Sequence, residues 1–587
     1  MSKIAAETLV ERLADWGVDT IFGLPGDGIN GIMEGLRRNR DRMRFVLVHH
    51  EEAAAFMATG YAKSTGRLGV CLATSGPGAI HLLNGLYDAK LDHVPVLAIT
   101  GMQETQMLGT GYQQEVALER LYMDVAEYNE MIHLPTQVTT LVDIAVRHAL
   151  GRRGVAHLTM PTDIQIAGAD VNPWEAPAPA VIKRTAPIFL PAPGLPGTPE
   201  LSAAARVLND GEKIVMLVGA GALHARSEVL RVAEILASPV VKTLPGKAVI
   251  PDDSPYAVGG IGLLGTAPAM EAMENCDTLF MVGTNFPYTK YLPDSGSCKV
   301  VQIEADPVRA GNRIATDVPM IGDASVALSA LVGLLDEKRD RGFLESAQSS
   351  MEKWRKRMSS LEEIDGDPIQ PQHLMSIVDE LADDDAILTS DSGTVATWAA
   401  RHFQIRGERE FYLSGNLATM APGLPYTIAN QLAHPGRQCI AFVGDGGFAM
   451  LMADFATACR YGLPIKVVIN NNSSLGQIMW EQLVLGYPEF GIRFGPPLNF
   501  APWAKACGAL GISVDKAGDV REAVDAAFRY DGPALVDVRV NPDEPPMPAK
   551  VNYEQAKGFA KAFLGGQPRK ATIASTLWRD KISELRS

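Results

Sequence analysis

The chain reads as α/β: three doubly wound parallel-sheet domains followed by a C-terminal tail. Three observations predict this. Short apolar runs of strand length alternate with amphipathic helical segments in three successive blocks. Glycine-rich turns follow several of those runs. A proline-rich stretch and a charged stretch separate the blocks. Alternation of this kind places parallel strands in a sheet with helices on both faces.

The first block, 1–171, opens with an amphipathic segment over residues 1–13 and carries strand-like runs at 45–48, 70–73, 94–100 and 155–160. Residues 172–199 hold Pro173, Pro177, Pro179, Pro187, Pro191, Pro193 and Pro196, and read as a stiff linker. The central block, 200–340, has runs at 214–218, 240–243, 278–282 and 300–303. Residues 341–370 form a charged connector with a helix. The third block, 371–548, has runs at 386–389, 439–443 and 465–469, with an amphipathic helix over 448–461 between the last two. The tail is 549–587.

Composition narrows the function classes. The chain has 587 residues, enough for three or four domains, and 47% apolar content suits sizeable cores. A net charge of −15 argues against nucleic acid as a partner, because phosphate backbones call for basic patches. The six cysteines are scattered and none forms a Cys-x-x-Cys pair, which argues against metal clusters and redox dithiols and fits a reducing cytoplasm. The first residues lack the apolar core of a signal peptide. No uncharged apolar stretch is long enough to span a membrane.

The chemistry concentrates in the third block. Gly444-Asp445-Gly446-Gly447 ends one apolar run and Asn471-Asn472 ends the next. A strand–helix–strand unit with parallel strands brings both ends to one sheet edge. A carboxylate and an amide oxygen then meet beside free helix N–H groups, which suits a magnesium-bound diphosphate, from a nucleotide or from thiamin diphosphate.

The fuller stretch makes the choice. Gly444-Asp445-Gly446-Gly447-Phe448, then Tyr461-Gly462-Leu463-Pro464, then Asn471-Asn472-Ser473-Ser474-Leu475-Gly476 closely resembles the motif of thiamin-diphosphate-dependent enzymes. The resemblance makes Asp445, Asn472 and the Ser474 carbonyl the Mg²⁺ ligands. It places Gly446, Gly447, Leu475, Gly476, Gln477 and Ile478 around the cofactor. His49-His50-Glu51-Glu52-Ala53-Ala54-Ala55 resembles the segment carrying the family's activating glutamate, which falls on Glu51. A buried carboxyl hydrogen-bonded to the aminopyrimidine favours the imino tautomer that strips the thiazolium proton.

Further segments extend the resemblance along nearly the whole chain, most closely to the pyruvate oxidase and pyruvate:quinone oxidoreductase branch, with acetolactate synthase a near relative. Ser75-Gly76-Pro77-Gly78 and Asp391-Ser392-Gly393-Thr394 resemble cofactor loops, and Met420, in Ala418-Thr419-Met420, matches the apolar residue that bends the cofactor. Gln114, with Glu115, matches the substrate wall, and Glu481 is a second acid–base candidate. Gln113 and Gln477 stand where family members commonly carry apolar residues, pointing to a wetter or larger pocket and leaving the 2-oxo acid open.

In the central block, Gly219 and Gly221, Gly262-Leu263-Leu264, Gly283-Thr284-Asn285-Phe286, Glu304 and Asp323 resemble FAD-contacting positions. Glycine turns after strands admit a pyrophosphate and an acid after a strand can hold a ribose. The blocks thus become pyrimidine-binding, FAD-type and diphosphate-binding domains.

The resemblance implies a decarboxylase of pyruvate or a similar 2-oxo acid. In the oxidative version FAD takes two electrons, acetate leaves and a quinone-type acceptor is reduced. The alternatives are acetolactate synthase-like carboligation and a non-catalytic binding subunit. The family site lies between subunits, so a homodimer is the minimum and a homotetramer the usual state. In the tail, Ile573, Leu577, Trp578, Ile582 and Leu585 would form one helical face, with Arg579, Lys581 and Arg586 nearby. This resembles the segment that touches membrane lipid in the quinone-linked branch, so the expected location is cytoplasmic with peripheral membrane contact.

Overall fold

The computed structural model describes residues 3–169, 186–190, 194–546 and 553–586. Most of the proline-rich linker, and Met547 and Pro548 at the end of the third block, lie outside the described residues.

Three six-stranded sheets, parallel in every pair, form the described body. The first contains β1 (Thr20–Gly23), β2 (Arg44–Leu47), β3 (Gly69–Ala73), β4 (Val96–Met102), β5 (Ala126–Met131) and β6 (Val155–Pro161), in the order β2-β1-β3-β4-β6-β5. The second contains β7 (Ile214–Val218), β8 (Val240–Lys242), β9 (Ala257–Gly260), β10 (Thr278–Val282), β11 (Lys299–Glu304) and β12 (Val318–Ile321), in the order β12-β11-β10-β7-β8-β9. The third contains β13 (Ile387–Ser390), β14 (Glu410–Tyr412), β15 (Cys439–Gly444), β16 (Lys466–Asn471), β17 (Leu510–Val514) and β18 (Ala534–Arg539), in the order β14-β13-β15-β16-β18-β17. The outer sheets therefore share one strand order, and the central sheet has the dinucleotide-binding order.

The central strands β3, β4, β6, β7 and β10 are buried along their whole length and, apart from His157 in β6, read as continuous apolar or small-residue runs, as parallel strands covered on both faces do. The third domain corrects one expectation. The helix expected over 448–461 starts instead at Asp445 and is broken: Asp445–Leu451 is α-helical, Met452–Asp454 is a 3-10 turn and Phe455–Arg460 resumes. Gly444 occupies the N-cap in extended conformation, so Asp445 becomes the first helical residue.

The outer domains share one core. Phe22, Phe56 and Tyr61 of the first pack in the same buried cluster as Tyr426, Phe448, Phe455 and Phe500 of the third. Helix Glu51–Thr65, rich in alanine, lies against helix Gly423–Ala433, and a Cβ on Gly60 would sit 2.8 Å from the Tyr426 ring. Each buried aromatic there contributes about 1.5–3 kcal/mol relative to exposure. Lys63 Nζ crosses the same boundary, donating to Asp92 (2.7 Å), the Leu413 carbonyl (2.8 Å) and the Tyr426 hydroxyl (2.9 Å).

The tail returns to the body. Phe559, in helix Tyr553–Leu564, stacks on Trp480 with ring centroids 5.8 Å apart. In helix Lys570–Arg586, Ile573 is fully buried and Leu577 half-buried, while Trp578 is exposed. Arg579 donates to Gln370 and Glu544. The side chains of Lys581, Ile582, Leu585 and Arg586 lie outside the described residues. No helix among the described residues is long and apolar enough to cross a membrane.

Candidate active site

Strands β13, β15 and β16 are neighbours, and their C-terminal ends carry Asp391, Asp445 and Asn472 to one edge. Connections leave β13 and β15 in opposite directions, which opens the crevice where α/β sheets bind ligands. The Asn472 N–H donates to Asp445 Oδ1 (3.3 Å) and the Ser474 N–H to Asn472 Oδ1 (3.0 Å), so the turn over Asn472 and Ser474 is held against the start of the Asp445 helix. Ser473, at φ 53°, makes that turn.

This corner fits a cation. Burial pushes the Asp445 carboxyl up to about 7, and no cationic side chain neutralises it among the described residues. Ser474 Oγ is buried with no hydrogen-bond partner among the described residues. Hard oxygen donors on one turn beside the start of a helix suit Mg²⁺ carrying a diphosphate.

The rest of the cradle gathers around it. A Cβ on Gly447 would lie 1.9 Å from Asp391 Oδ2, so only glycine fits there. Asp391 is fully buried; its Oδ1 accepts from the Gly423 N–H (2.8 Å), its Oδ2 has no hydrogen-bond partner among the described residues, and burial pushes the carboxyl up to about 7. A Cβ on Gly476 would meet Asn472 Nδ2 at 2.8 Å and Thr394 Cγ2 at 3.2 Å. Thr394 starts a helix after Gly393, and the Ser392 N–H donates to the Thr419 carbonyl (3.4 Å). Met420 Cε is 3.2 Å from where a Cβ on Gly446 would stand, which places the expected wedge over the motif. Ala418, at φ 55°, sets the bend before it.

Glu51 forms a second pole. It is the first residue of helix Glu51–Thr65, and the His50 Nδ1 caps that helix by accepting from the Glu52 N–H (3.1 Å). Glu51 is 6% exposed, and its Oε2 accepts from His81 Nδ1 at 2.9 Å. Gly76 packs on Gln114, whose Oε1 accepts from Ser75 Oγ (3.3 Å), and Pro77 opens the short helix that ends at His81. Asn84 joins the first and third domains, donating to Glu52 Oε1 (2.7 Å) and Thr419 Oγ1 (3.3 Å).

The expected substrate residues are less gathered. Glu481 is exposed and accepts from Gln477 Nε2 (3.1 Å); Gln477 Oε1 is buried without a partner among the described residues, and Leu475 and Ile478 flank it on the same segment. Among the described residues no hydrogen bond joins this pair to Glu51. Glu115 is occupied by its own loop, accepting from the Gly109, Gly111 and Tyr112 N–H groups.

In the central domain, β7 and β10 are adjacent at the point where the strand order reverses. Gly219 and Gly221 after β7 lie back to back with Gly283 and Thr284 after β10; a Cβ on Gly221 would stand 2.8 Å from the Gly283 Cα. The Asn285 Oδ1 is buried with no partner among the described residues, beside Phe286, which packs on Gly262. The two acids do more locally than the ribose role expected of them. Glu304 accepts from the Ala305 and Asp306 N–H groups, and Asp323 caps the next helix and bonds His224. The Leu263 and Leu264 carbonyls accept from Arg401 of the third domain. The glycines let the two strand-end turns pack closely against each other at the reversal of strand order.

The sequence reading missed His81, Asn84 and Phe494, the last being 3.0 Å from a Cβ on Gly446. None stands in a motif with a chemical signature. Only contact across some thirty or more residues shows their place.

Comparison with known proteins follows this division. Three family models match: "Thiamine pyrophosphate enzyme, N-terminal TPP binding domain" over residues 4–121, its central domain over 201–331 and its C-terminal TPP binding domain over 391–538. The chain is 41% identical over 562 residues to YdaP of Bacillus subtilis, a protein named as thiamine pyrophosphate-containing, covering 96% of each. It is 32% identical to the pyruvate oxidase of Lactiplantibacillus plantarum, over 95% of this chain and 92% of the relative. It is also 32% identical to the chloroplastic acetolactate synthase of Arabidopsis thaliana, over 91% of this chain and 81% of the relative.

Proposed function

Because this chain belongs to the thiamine pyrophosphate enzyme family, we propose that it oxidatively decarboxylates pyruvate or a similar 2-oxo acid, with FAD passing electrons to a quinone-type acceptor and acetate as product. The observation that carries the oxidative reading is the central crevice: glycines meeting at the reversal of strand order, beside a buried Asn285 amide oxygen that has no partner among the described residues. The pyruvate oxidase relative supports it. The acetolactate synthase relative supports a second reading, carboligation with a flavin that does not turn over.

Thiamin diphosphate, when bound, supplies a nucleophilic carbon and an electron sink for decarboxylation. The protein's part is binding, orientation and proton control. Asp445, Asn472 and the Ser474 carbonyl would hold Mg²⁺ and the diphosphate. Asp391, Thr394 and the N–H groups around Gly446 and Gly447 shape the pocket. Met420, beside Gly446, would lie against thiamin diphosphate and orient it. Glu51 exchanges a proton at its free carboxyl oxygen from a buried position. Gln114 and Gln477 offer amide groups to a substrate carboxylate, and Glu481 is a candidate proton donor.

We place the assembly at a homodimer or larger, with a tetramer expected, and lipid contact, if the tail makes it, at the exposed Trp578. The decisive experiment mixes the purified protein anaerobically with a panel of 2-oxo acids while following flavin absorbance and CO₂ together. Bleaching of a yellow protein with CO₂ release supports the oxidase. Retained colour with acetolactate formation supports the synthase. A colourless protein that releases no CO₂ from any 2-oxo acid rejects both.

A further inference from the structure

Glu51 does not stand alone at its pole. His81 Nδ1 lies 2.9 Å from its Oε2. His81 in turn stacks on His50, with ring centroids 4.5 Å apart and planes 26° from parallel. The His50 Nδ1 accepts the Glu52 N–H at 3.1 Å, so it carries no proton and the imidazole is the neutral Nε2–H tautomer. One nitrogen of each ring and one carboxylate oxygen lie within 4.8 Å of one another. Stacked rings aim their nitrogens side by side rather than at a common point, which favours a hydrogen-bonded array over a metal chelate.

With any proton of Glu51 on Oε1, Oε2 can only accept, so the contact places a proton on His81 Nδ1. That bond leaves Oε1 as the free oxygen. It faces Gly78, where a Cβ would stand only 3.0 Å from it. The absent side chain keeps the approach to Oε1 open. Glu51 is therefore held by one oxygen and presented by the other.

We propose that His81 is a positioning residue for Glu51: its Nδ1–H pins Oε2, aims Oε1 past Gly78, and steadies the carboxylate once Oε1 has given up its proton. This rests on the thiamin diphosphate reading of the site. In the step concerned, the Oε1–H bond of Glu51 breaks and an N–H bond forms at the aminopyrimidine ring nitrogen. The negative charge left on Glu51 is met by the His81 N–H, and no oxidant or further reactant is needed. A hydrogen bond to a charged group is stronger than one to a neutral group, so the contact favours the state in which the proton has moved. His50 contributes by holding the imidazole plane through stacking while its own nitrogen stays committed to the helix.

Two measurements test this. The first uses the cofactor-free protein labelled with ¹⁵N-histidine, and reads the tautomer by long-range ¹H–¹⁵N correlation. His81 should carry its proton on Nδ1, and in Glu51→Ala that preference should vanish. An Nε2–H tautomer in the wild type overturns the proposal. The second compares His81→Phe, which keeps the stack and loses the donor, with His81→Asn, which keeps a donor. Exchange of the reactive-carbon proton of bound thiamin diphosphate should slow by about 10–100-fold in His81→Phe, the worth of one charge-assisted bond, while its dissociation constant moves less than about threefold. His81→Asn should recover most of the rate. Equal exchange in His81→Phe and wild type, or equal loss in both variants, overturns it. A wild-type protein that binds no thiamin diphosphate sinks the functional reading instead, and leaves the tautomer measurement standing.

Discussion

Asp391 offers the sharpest test of how the crevice is built. Its side chain is fully buried, Oδ1 is bonded to the Gly423 N–H, and Oδ2 faces Gly447 without a hydrogen-bond donor among the described residues. Burial lifts the carboxyl from its ordinary value of about 4 to about 7 in the cofactor-free fold. Between those pH values the folded protein binds a proton that the unfolded chain has released, so stability falls as pH rises through that window. The penalty is absent below about pH 4 and complete above about pH 7, where three pH units at ~1.4 kcal/mol each give about 4 kcal/mol as an upper figure. Asp391→Asn keeps the shape and the Oδ1 acceptor but cannot ionise. It should leave cofactor-free stability unchanged at acid pH and raise it progressively toward pH 8. Denaturant melts of both proteins across that range, monitored by a probe in the third domain, measure the gap. A gap that does not change with pH refutes the argument, because a neutral effect of the amide would appear equally at every pH.

Four other outcomes follow from the site and the tail. Asp445→Asn should abolish the thermal shift given to wild type by Mg²⁺ with thiamin diphosphate, a stabilisation of about 2.7 kcal/mol at a hundredfold excess over Kd; a retained shift in differential scanning fluorimetry would remove Asp445 from the ligand set. Glu51→Gln should lower turnover at least ~100-fold while cofactor affinity measured by tryptophan quenching stays within a few-fold; near-wild-type turnover ends the role given to Glu51. Gly447→Ala forces a methyl to within 1.9 Å of Asp391 Oδ2, so it should cost about 1–3 kcal/mol in stability and weaken cofactor binding, read in the same melts and titrations. Ile573→Ala empties a fully buried site under the tail and should weaken docking of the last helix by about 2–5 kcal/mol, seen as faster cleavage of the tail in limited proteolysis; unchanged cleavage means that Ile573 does not hold it.

The strands that could be read from the sequence are those whose burial leaves a mark on composition. β7 and β10 are covered on both faces and appear as unbroken apolar runs with the bounds expected of them. β5, with the sequence Ala-Glu-Tyr-Asn-Glu-Met, is a half-exposed edge strand, and β14 is only three residues long. Neither contains enough apolar residues to stand out. The shared order of the outer sheets is set by which crossovers leave which strand, and no local residue pattern records that. The same distinction governs the site. Asp445 and Asn472 were legible because each ends a buried strand, so adjacency of β15 and β16 alone brings them together. The start of the Asp445 helix is hidden in the sequence because Gly446 and Gly447 usually signal a turn; here they are helical, and Gly447 lacks a side chain because Asp391 fills that space. His81 was illegible for the opposite reason. Its meaning lies in one atom meeting Glu51 from a different helix thirty residues away, and an isolated histidine carries no periodicity, spacing or charge pattern that predicts such a meeting. Residues that bind through the backbone frame are thus written into strand ends, while residues that orient another side chain emerge only once the helices are packed.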